Sequence, residues 1–227
     1  MASYSSSQKT INSLIMAAGE LFAERGIEAV TTRAIAQKSK ENIGNIHYHF
    51  GSKEGLLDAV LEFACSRWNN DPFGKFLKEN RNLFKTSEGQ IKLVSGLIDI
   101  FFEIVFSNEK PLWCGTLIFQ ILQRNLEVSS KILKKIIVPN TNAFLFAYKS
   151  ITGDSNFENA YCWYLNIVSS AVLCSTNQNT MEKIHPEGIL SGEFIPGLKK
   201  AVTINALKSL GLKVEKKSKK TNGDITI

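Results

Sequence analysis

The sequence predicts an all-α protein, and three observations lead to that prediction. Apolar residues recur at three- and four-residue steps along most of the chain, which is the period of one helix face. Alternating apolar and polar residues, which would indicate strands, are scarce. Polar capping residues and Gly or Pro breaks separate the periodic segments.

Four helices are expected before residue 70. An apolar stripe through Leu14 and Leu21 marks the first, which Ser5 and Gln8 would open as a capping box and Gly26 would close. The next three helices are expected to begin after polar N-cap residues and to be separated by short polar breaks. They are a second helix over 32–38 capped by Thr31, a third over 43–49 capped by Asn42, and a fourth capped by Ser52 that continues to about 68.

Longer and more apolar helices follow. Their predicted spans are 73–84, 88–107, 111–125, 129–151, 156–178 and 193–210. The polar, Lys-rich end of the chain has too few apolar residues to bury a core, so a disordered tail is expected over 215–227. We therefore expect an N-terminal domain over 8–55 and a helical domain over 56–214.

Composition narrows the class of protein. Of 227 residues, 44% are hydrophobic and 21% charged, which is ordinary for a folded chain and excludes collagen-like and low-complexity polymers. The apolar run 96–106 contains Asp99 and Glu103 and is shorter than the ~18 residues that a membrane span needs. Glu20 interrupts the apolar stretch near the start, so no secretory signal is expected and the chain should stay in the cytosol.

The cysteines indicate neither a disulfide framework nor a metal centre. No two of them form a C-x-x-C pair, and each lies in an apolar or helical context. We expect four buried free thiols, no metal and no cofactor. The residues are Cys65, Cys114, Cys162 and Cys174.

The two short helices after a longer one have the layout of a helix–turn–helix. In the third helix, Ile46 and Phe50 share a face and should point inward, while Gly44 and Tyr48 point roughly the opposite way. The outward face also carries Asn45, His47 and His49 and no acid, which suits a surface facing phosphates.

The residue string is more specific than this layout. The segments LFAERG (21–26), VTTRAIA (30–36) and NIGNIHYHFGSKEGLL (42–57) resemble the DNA-binding segment of the TetR/AcrR family of transcriptional repressors. The resemblance covers residues 8 to 65, and beyond that it is only architectural: the length is right and the chain is helical. It implies a TetR-like fold, a bacterial regulator that binds double-stranded DNA as a homodimer, and a helical effector-binding domain.

The resemblance also implies which residues contact DNA. Thr32, Arg33, His47, Tyr48 and Lys53 would hold the register on the phosphates, whereas Ile43, Gly44 and Asn45 are the better candidates for reading bases. Asn42 and His49 complete the set of expected DNA-binding residues. The alternative for each cation and histidine is an ordinary solvated surface residue, and for Tyr48 it is a cover for the core edge.

Two departures from the family stand out. The turn reads Ser39-Lys40-Glu41, where the family usually has a small residue, Gly and an apolar residue. Glu41 cannot fill the apolar slot expected there, so we expect different packing or lower stability in this turn. Residues 1–55 also hold six cations against five acids, so affinity for DNA must come from placement of charge.

The second domain should dimerise through its last two long helices, as the resemblance implies. An apolar stripe on the predicted helix 156–178 would form either a contact with the second subunit or part of the core within one chain. It consists of Tyr161, Tyr164, Leu165, Val168 and Val172.

Dense aromatic residues in the middle helices suggest a pocket for a small apolar or aromatic effector, the alternative being a filled core. The expected lining is Phe101, Phe102, Phe106, Trp113, Phe119, Gln120, Gln123, Phe144, Trp163 and Asn166. Effector binding would tilt the fourth helix and change the spacing of the two DNA-reading helices, so that effector and DNA weaken each other.

Two other functions remain open. An enzyme has little support, because no G-x-S-x-G, phosphate loop or H-E-x-x-H motif occurs, and Cys114 with His185 is a pairing that chance would supply. A DNA-binding adaptor without an effector is the stronger alternative. Sequence does not separate repression from activation.

Overall fold

The computed structural model describes residues 2–106, 111, 113–123, 132–177, 183 and 192–213. This part of the chain is helical and contains no strand, so the predicted all-α class is confirmed. The tail 215–227 and His185 lie outside it. The α-helices are α1 (Ala2–Arg25), α2 (Thr32–Ser39), α3 (Ile43–Phe50), α4 (Lys53–Cys65), α5 (Pro72–Glu79), α6 (Ser87–Phe106), α7 (Trp113–Gln123), α8 (Val138–Thr152), α9 (Phe157–Thr176) and α10 (Phe194–Ser209).

Helices α2 and α4 begin where their N-cap residues indicate, and α1 ends just before Gly26, as the sequence indicates. The Thr31 hydroxyl accepts a hydrogen bond from the Ala34 amide at 3.2 Å, and Ser52 caps α4 in the same way. Gly26 follows α1 with a φ of 81°, a left-handed conformation that favours glycine. The predicted start of α1 is wrong, because the helix already begins at Ala2 and Ser5 lies within it.

Three segments depart from the predicted helices. The helix expected to continue to about 68 ends at Cys65, where a 3-10 turn, Ser66–Trp68, follows. The span predicted as one helix over 73–84 is α5 followed by a 3-10 turn, Arg81–Lys85. Asn80 separates them: its side-chain amide donates to the Phe76 carbonyl at 2.9 Å, in competition with the helical backbone. The helix predicted over 129–151 opens with a π-helical turn, Leu133–Ile137, which apolar periodicity cannot distinguish from α-helix.

The hydrophobic side chains form two cores. The first joins α1, α2, α3 and α4 with α7 and the π-helical turn, and its fully buried members include Phe22, Ile35, Ile46 and Leu117. The second joins α5, α6, α8, α9 and α10 around Phe144. The domain boundary expected after residue 55 falls in the first turn of α4. The first core does not end there, because it also includes residues of α4 and α7.

Contacts between α1 and α7 tie the two parts of the chain together. Gly19 lies directly against the indole of Trp113, and a methyl group at Gly19 would overlap that ring. The same indole stacks on Phe63 of α4, with ring centroids 5.9 Å apart. The Gln120 side-chain amide donates to the Ala23 carbonyl at 2.9 Å, which satisfies one of the free carbonyls at the end of α1.

The cysteines are free thiols, and three of them are buried as predicted. The prediction is wrong for Cys162, which is exposed on α9. Burial raises the pKa of the Cys174 thiol. Within the described ranges, no helix combines the length and the apolar character that crossing a bilayer requires.

Candidate DNA-binding surface

α3 is the element that carries most of the expected DNA-binding residues, and the first core holds it by one face. Ile46 is fully buried and Phe50 is half-buried against the same core. Tyr48, on the opposite side, is 83% exposed, and Ile43 at the start of the helix is 43% exposed. The inward and outward faces expected from the sequence are therefore present.

The ten expected DNA-binding residues lie at or near the surface of α2, α3 and the start of α4. Neither α2 nor α3 carries an acid in its first turn, where free amide groups attract anions. Six of the ten are exposed and four are half-buried. The exposed ones are Arg33, Asn42, Ile43, Gly44, His47 and Tyr48, and the half-buried ones are Thr32, Asn45, His49 and Lys53.

Two of the aromatic side chains on α3 are held by local contacts. The His47 ring donates from Nδ1 to the Gly51 carbonyl at 3.1 Å, which assigns the proton to Nδ1 and leaves Nε2 on the far side of the ring. His49 lies between Tyr48 and Phe50, with the Tyr48 ring edge-on at 4.8 Å. These contacts restrict the rotamers of His47 and His49 on the exposed face.

Lys53 and its neighbours open α4 beside the helix–turn–helix. The Ser52 hydroxyl accepts from the Gly55 amide, and it also donates to Glu54, which lowers the pKa of that carboxyl group. The negative charge of Glu54 thus lies next to the cation of Lys53. Lys53 is half-buried, so its ammonium has fewer accessible positions than a fully solvated lysine.

The turn Ser39-Lys40-Glu41 packs through hydrogen bonds, although an apolar residue was expected at its last position. Lys40 has a left-handed φ of 61°, and its amide reaches the Gln37 carbonyl at 3.4 Å. Glu41 accepts from the Ser13 hydroxyl of α1 and from the Asn45 side-chain amide of α3, each at 3.0 Å. We call these three residues, Ser13, Glu41 and Asn45, the Glu41 bridge.

The side-chain oxygen of Asn42 is used within the protein. It accepts from the Gly44 amide at 2.8 Å and so caps α3, as the sequence indicates. The amide nitrogen of Asn45 is engaged by Glu41. Sequence reasoning predicted the cap at Asn42 but missed the bond between Asn45 and Glu41.

The residues expected to line an effector pocket are divided between the two cores. Trp113 belongs to the first core, and Gln120 bonds to α1. Phe101, Phe102, Phe144 and Trp163 are buried in the second core, and Phe106 is half-buried against it. Phe119 is half-buried, and Gln123 and Asn166 are exposed. The structure does not bring these ten residues together around one space.

The rings of the second core pack on one another. The Phe144 ring lies 5.2 Å from Phe73 and 6.2 Å from Trp163, and the Trp163 indole donates to the Ala206 carbonyl at 3.1 Å. Nearby in sequence, Asn140 is only 4% exposed, and neither of its amide atoms has a hydrogen-bond partner in the described part of the chain.

A cleft of about 510 Å³ runs between α9 and α10 instead. Of the expected pocket residues, Trp163 and Asn166 line it. Its walls are rich in small and amide side chains, including Asn159, Cys162, Ser170, Ala201, Asn205 and Ser209. Sequence reasoning missed this strip, although its steps of three and four residues along both helices are visible in the sequence.

The stripe expected to form a dimer contact is also divided. Tyr161 and Leu165 are exposed. Tyr164, Val168 and Val172 pack against the second core, and burial raises the pKa of Tyr164. Three exposed apolar residues recur at four-residue steps along α9, and we call them the α9 patch: Phe157, Tyr161 and Leu165.

A metal centre and a thiol nucleophile both find little support in the arrangement of the side chains. No three His, Cys, Asp or Glu side chains within the described ranges are grouped as metal binding requires. Cys114 is buried in the first core.

Comparison with known proteins shows which family the DNA-binding segment resembles. Residues 14–60 match the family described as bacterial regulatory proteins, tetR family. The sequence is 25% identical to the HTH-type transcriptional regulator QacR of Staphylococcus aureus over 201 residues, which cover 81% of this chain and 95% of that one. The N-terminal segment of the chain is therefore a TetR-family DNA-binding segment, and α2 and α3 form its helix–turn–helix. The similarity supports a role as a DNA-binding transcriptional regulator.

Two further TetR-family relatives show how the similarity is distributed. The chain is 49% identical to the HTH-type transcriptional repressor Rv3405c of Mycobacterium tuberculosis over 49 residues, only 22% of this chain and 26% of the relative. The crystal structure of a TetR-like transcriptional regulator from Rhodococcus sp. RHA1 aligns with a TM-score of 0.59 at 15% identity, covering 90% of this chain and 97% of that one. Similarity to Rv3405c is thus confined to a short segment, while the Rhodococcus structure shares the fold.

Proposed function

We propose that this protein is a TetR-family repressor that binds a pseudo-palindromic operator as a homodimer, with α3 of each subunit in the major groove. The observation that carries the proposal is the exposed face of α3, which presents Gly44, His47 and Tyr48 without an acid. Phosphates repel acids, and a glycine allows close approach to base edges. The relative Rv3405c is a transcriptional repressor by name, which supports the direction of control.

A homodimer is proposed because one helix–turn–helix reads too few base pairs for specificity in a genome. The α9 patch supports this part of the proposal. Phe157 and Tyr161 stack with ring centroids 5.4 Å apart, and Leu165 is 42% exposed, so the patch offers apolar area on one side of a helix. An exposed apolar patch is typical of a protein–protein contact.

The proposal also includes a small apolar or aromatic effector that releases the regulator from DNA. The second core supplies the aromatic rings, which must separate to admit a ligand, and Asn140 supplies a buried amide that has no hydrogen-bond partner among the described residues. A signal would reach the DNA-binding helices through Trp113 and Gln120, because both connect α7 to α1. A hundredfold release from DNA needs only ~2.7 kcal/mol of coupling.

Selection from a random duplex library with the purified protein tests the DNA-binding part. We expect an inverted repeat, and Lys53→Ala should weaken binding to all sequences and reduce the salt slope by about one. Lys149→Ala, which removes an exposed cation on α8, is the matched control and should change neither. Enrichment of no duplex at low salt would refute the proposal.

Thermal-shift screening of hydrophobic compounds tests the effector part. A compound that stabilises the natural protein should lose its effect in Asn140→Leu, because the orienting amide is gone. Absence of any stabilising compound would favour a second candidate, a DNA-binding adaptor without an effector. The observation that favours this candidate is the contact of the aromatic rings with one another in the second core.

A further inference from the structure

The Glu41 bridge connects the recognition helix to its turn by a carboxylate. Asn45 Nδ2 donates to Glu41 Oε2 at 3.0 Å, and the Ser13 hydroxyl lies 3.0 Å from Glu41 Oε1. The Ser13 oxygen also lies 3.0 Å from the Thr10 carbonyl, so its single proton is shared between two acceptors. Glu41 is half-buried between α1 and α3, which limits its freedom to swing away.

A carboxylate fixes which way the Asn45 amide points. An ionised carboxyl group only accepts hydrogen bonds, whereas an asparagine amide has a donor end and an acceptor end. Rotating the Asn45 amide by half a turn would place its oxygen against Glu41 Oε2, with no proton between them. Nδ2 is therefore held toward Glu41, and Oδ1 is left on the other side of the amide.

Asn45 lies on the DNA-facing side of α3. It directly follows the exposed Gly44 and comes three residues before Tyr48, so at about 100° per residue it lies within roughly 60° of the Tyr48 direction. We propose that Glu41 is a specificity-determining residue that makes Asn45 present its oxygen, an acceptor, to the major groove. This inference rests on the proposed function, in which α3 enters that groove.

An acceptor discriminates among the bases by their exocyclic groups. Adenine N6 and cytosine N4 are amino donors in the major groove, whereas guanine O6 and thymine O4 are acceptors. Asn45 should therefore favour A or C at the base it contacts and disfavour G or T. A single acceptor contact should discriminate by about fivefold, the lower end of the range for a bidentate base contact.

Glu41→Gln tests the inference with little change of shape. A glutamine amide can donate to Asn45 Oδ1 or accept from Nδ2, so both orientations of Asn45 become available. Selection from a random library should then show the A-or-C preference falling about fivefold at one position of each half-site. Preferences at the other positions should remain.

Three further variants separate this effect from others. Glu28→Gln removes an exposed acid elsewhere in the same domain and should leave every preference intact. In Asn45→Ala the preference should vanish, and adding Glu41→Gln should then change nothing more. Glu41→Leu restores an apolar residue in the turn and should relax the preference as Glu41→Gln does, which keeps the test available if one variant unfolds.

The outcomes distinguish this inference from the function on which it rests. If the natural protein enriches no duplex, the proposed function fails. If it enriches an operator and Glu41→Gln raises affinity equally for all sequences while every base preference stays, only a charge was removed and the inference alone is overturned.

Discussion

Lys40 is the residue at which the turn departs most in backbone conformation. Its φ of 61° lies in the left-handed region, where a side chain costs roughly 1–2 kcal/mol and glycine costs little. We expect Lys40→Gly to be more stable than Lys40→Ala by about 1 kcal/mol, because only glycine removes this strain. Urea denaturation of the two variants measures the difference.

The alanine variant is itself the control, since both substitutions remove the same ammonium group. Equal stability of Lys40→Gly and Lys40→Ala would contradict a left-handed Lys40. The sequence indicated that this turn is unusual, because the family usually has glycine there. The Glu41 bridge could not be predicted in the same way, because Ser13 lies 28 residues before Glu41 in the sequence.

At the scale of elements, the contact of α1 with α7 depends on the small size of Gly19. An added methyl group would meet the buried indole of Trp113. Overpacking costs ~1–3 kcal/mol, while the better helix propensity of alanine returns about 1 kcal/mol. Gly19→Ala should therefore lower the free energy of unfolding by up to ~2 kcal/mol, as measured by urea denaturation.

Gly115→Ala is the matched control on α7. Among the described residues, a methyl group there meets the Ser175 hydroxyl oxygen alone, at 3.8 Å, so this variant should be neutral or slightly more stable. A Gly19→Ala protein more stable than the natural one would show that α1 and α7 do not pack as described. The sequence predicted both helices, but their contact required the three-dimensional arrangement.

At the scale of the whole molecule, the α9 patch is the surface on which the proposed homodimer depends. Leu165→Glu places a charge where a two-fold contact would bury it in both subunits. We expect the dimer to weaken by about 2 kcal/mol or more, which is the size of an interface hot spot. Sedimentation velocity over a range of protein concentrations measures the dissociation constant.

Val138→Glu is the control for Leu165→Glu, because Val138 is similarly exposed but lies at the start of α8. This variant should assemble like the natural protein. A Leu165→Glu protein with an unchanged dissociation constant would exclude Leu165 from the interface, and a natural protein that stays monomeric would remove the homodimer from the proposed function.

The sequence by itself determined the helices of the DNA-binding segment and the N-caps of α2, α3 and α4. Helix periodicity and capping depend on residues within a few positions of each other, as in the bond from Ala34 to Thr31, so a linear string carries them. For the same reason the outward face of α3, with Tyr48 exposed and Ile46 buried, was predictable from the spacing of its residues.

Only the tertiary structure decided which aromatic residues share a core and which polar groups are already engaged. The bond from Gln120 to Ala23 joins residues 97 positions apart, and no local pattern carries such a pairing. The same applies to Trp113. Its place on the apolar face of α7 fits packing on α1 equally well as packing on the second core. Local patterns specify which face of a helix is buried, but the partner of that face depends on how all the helices pack together.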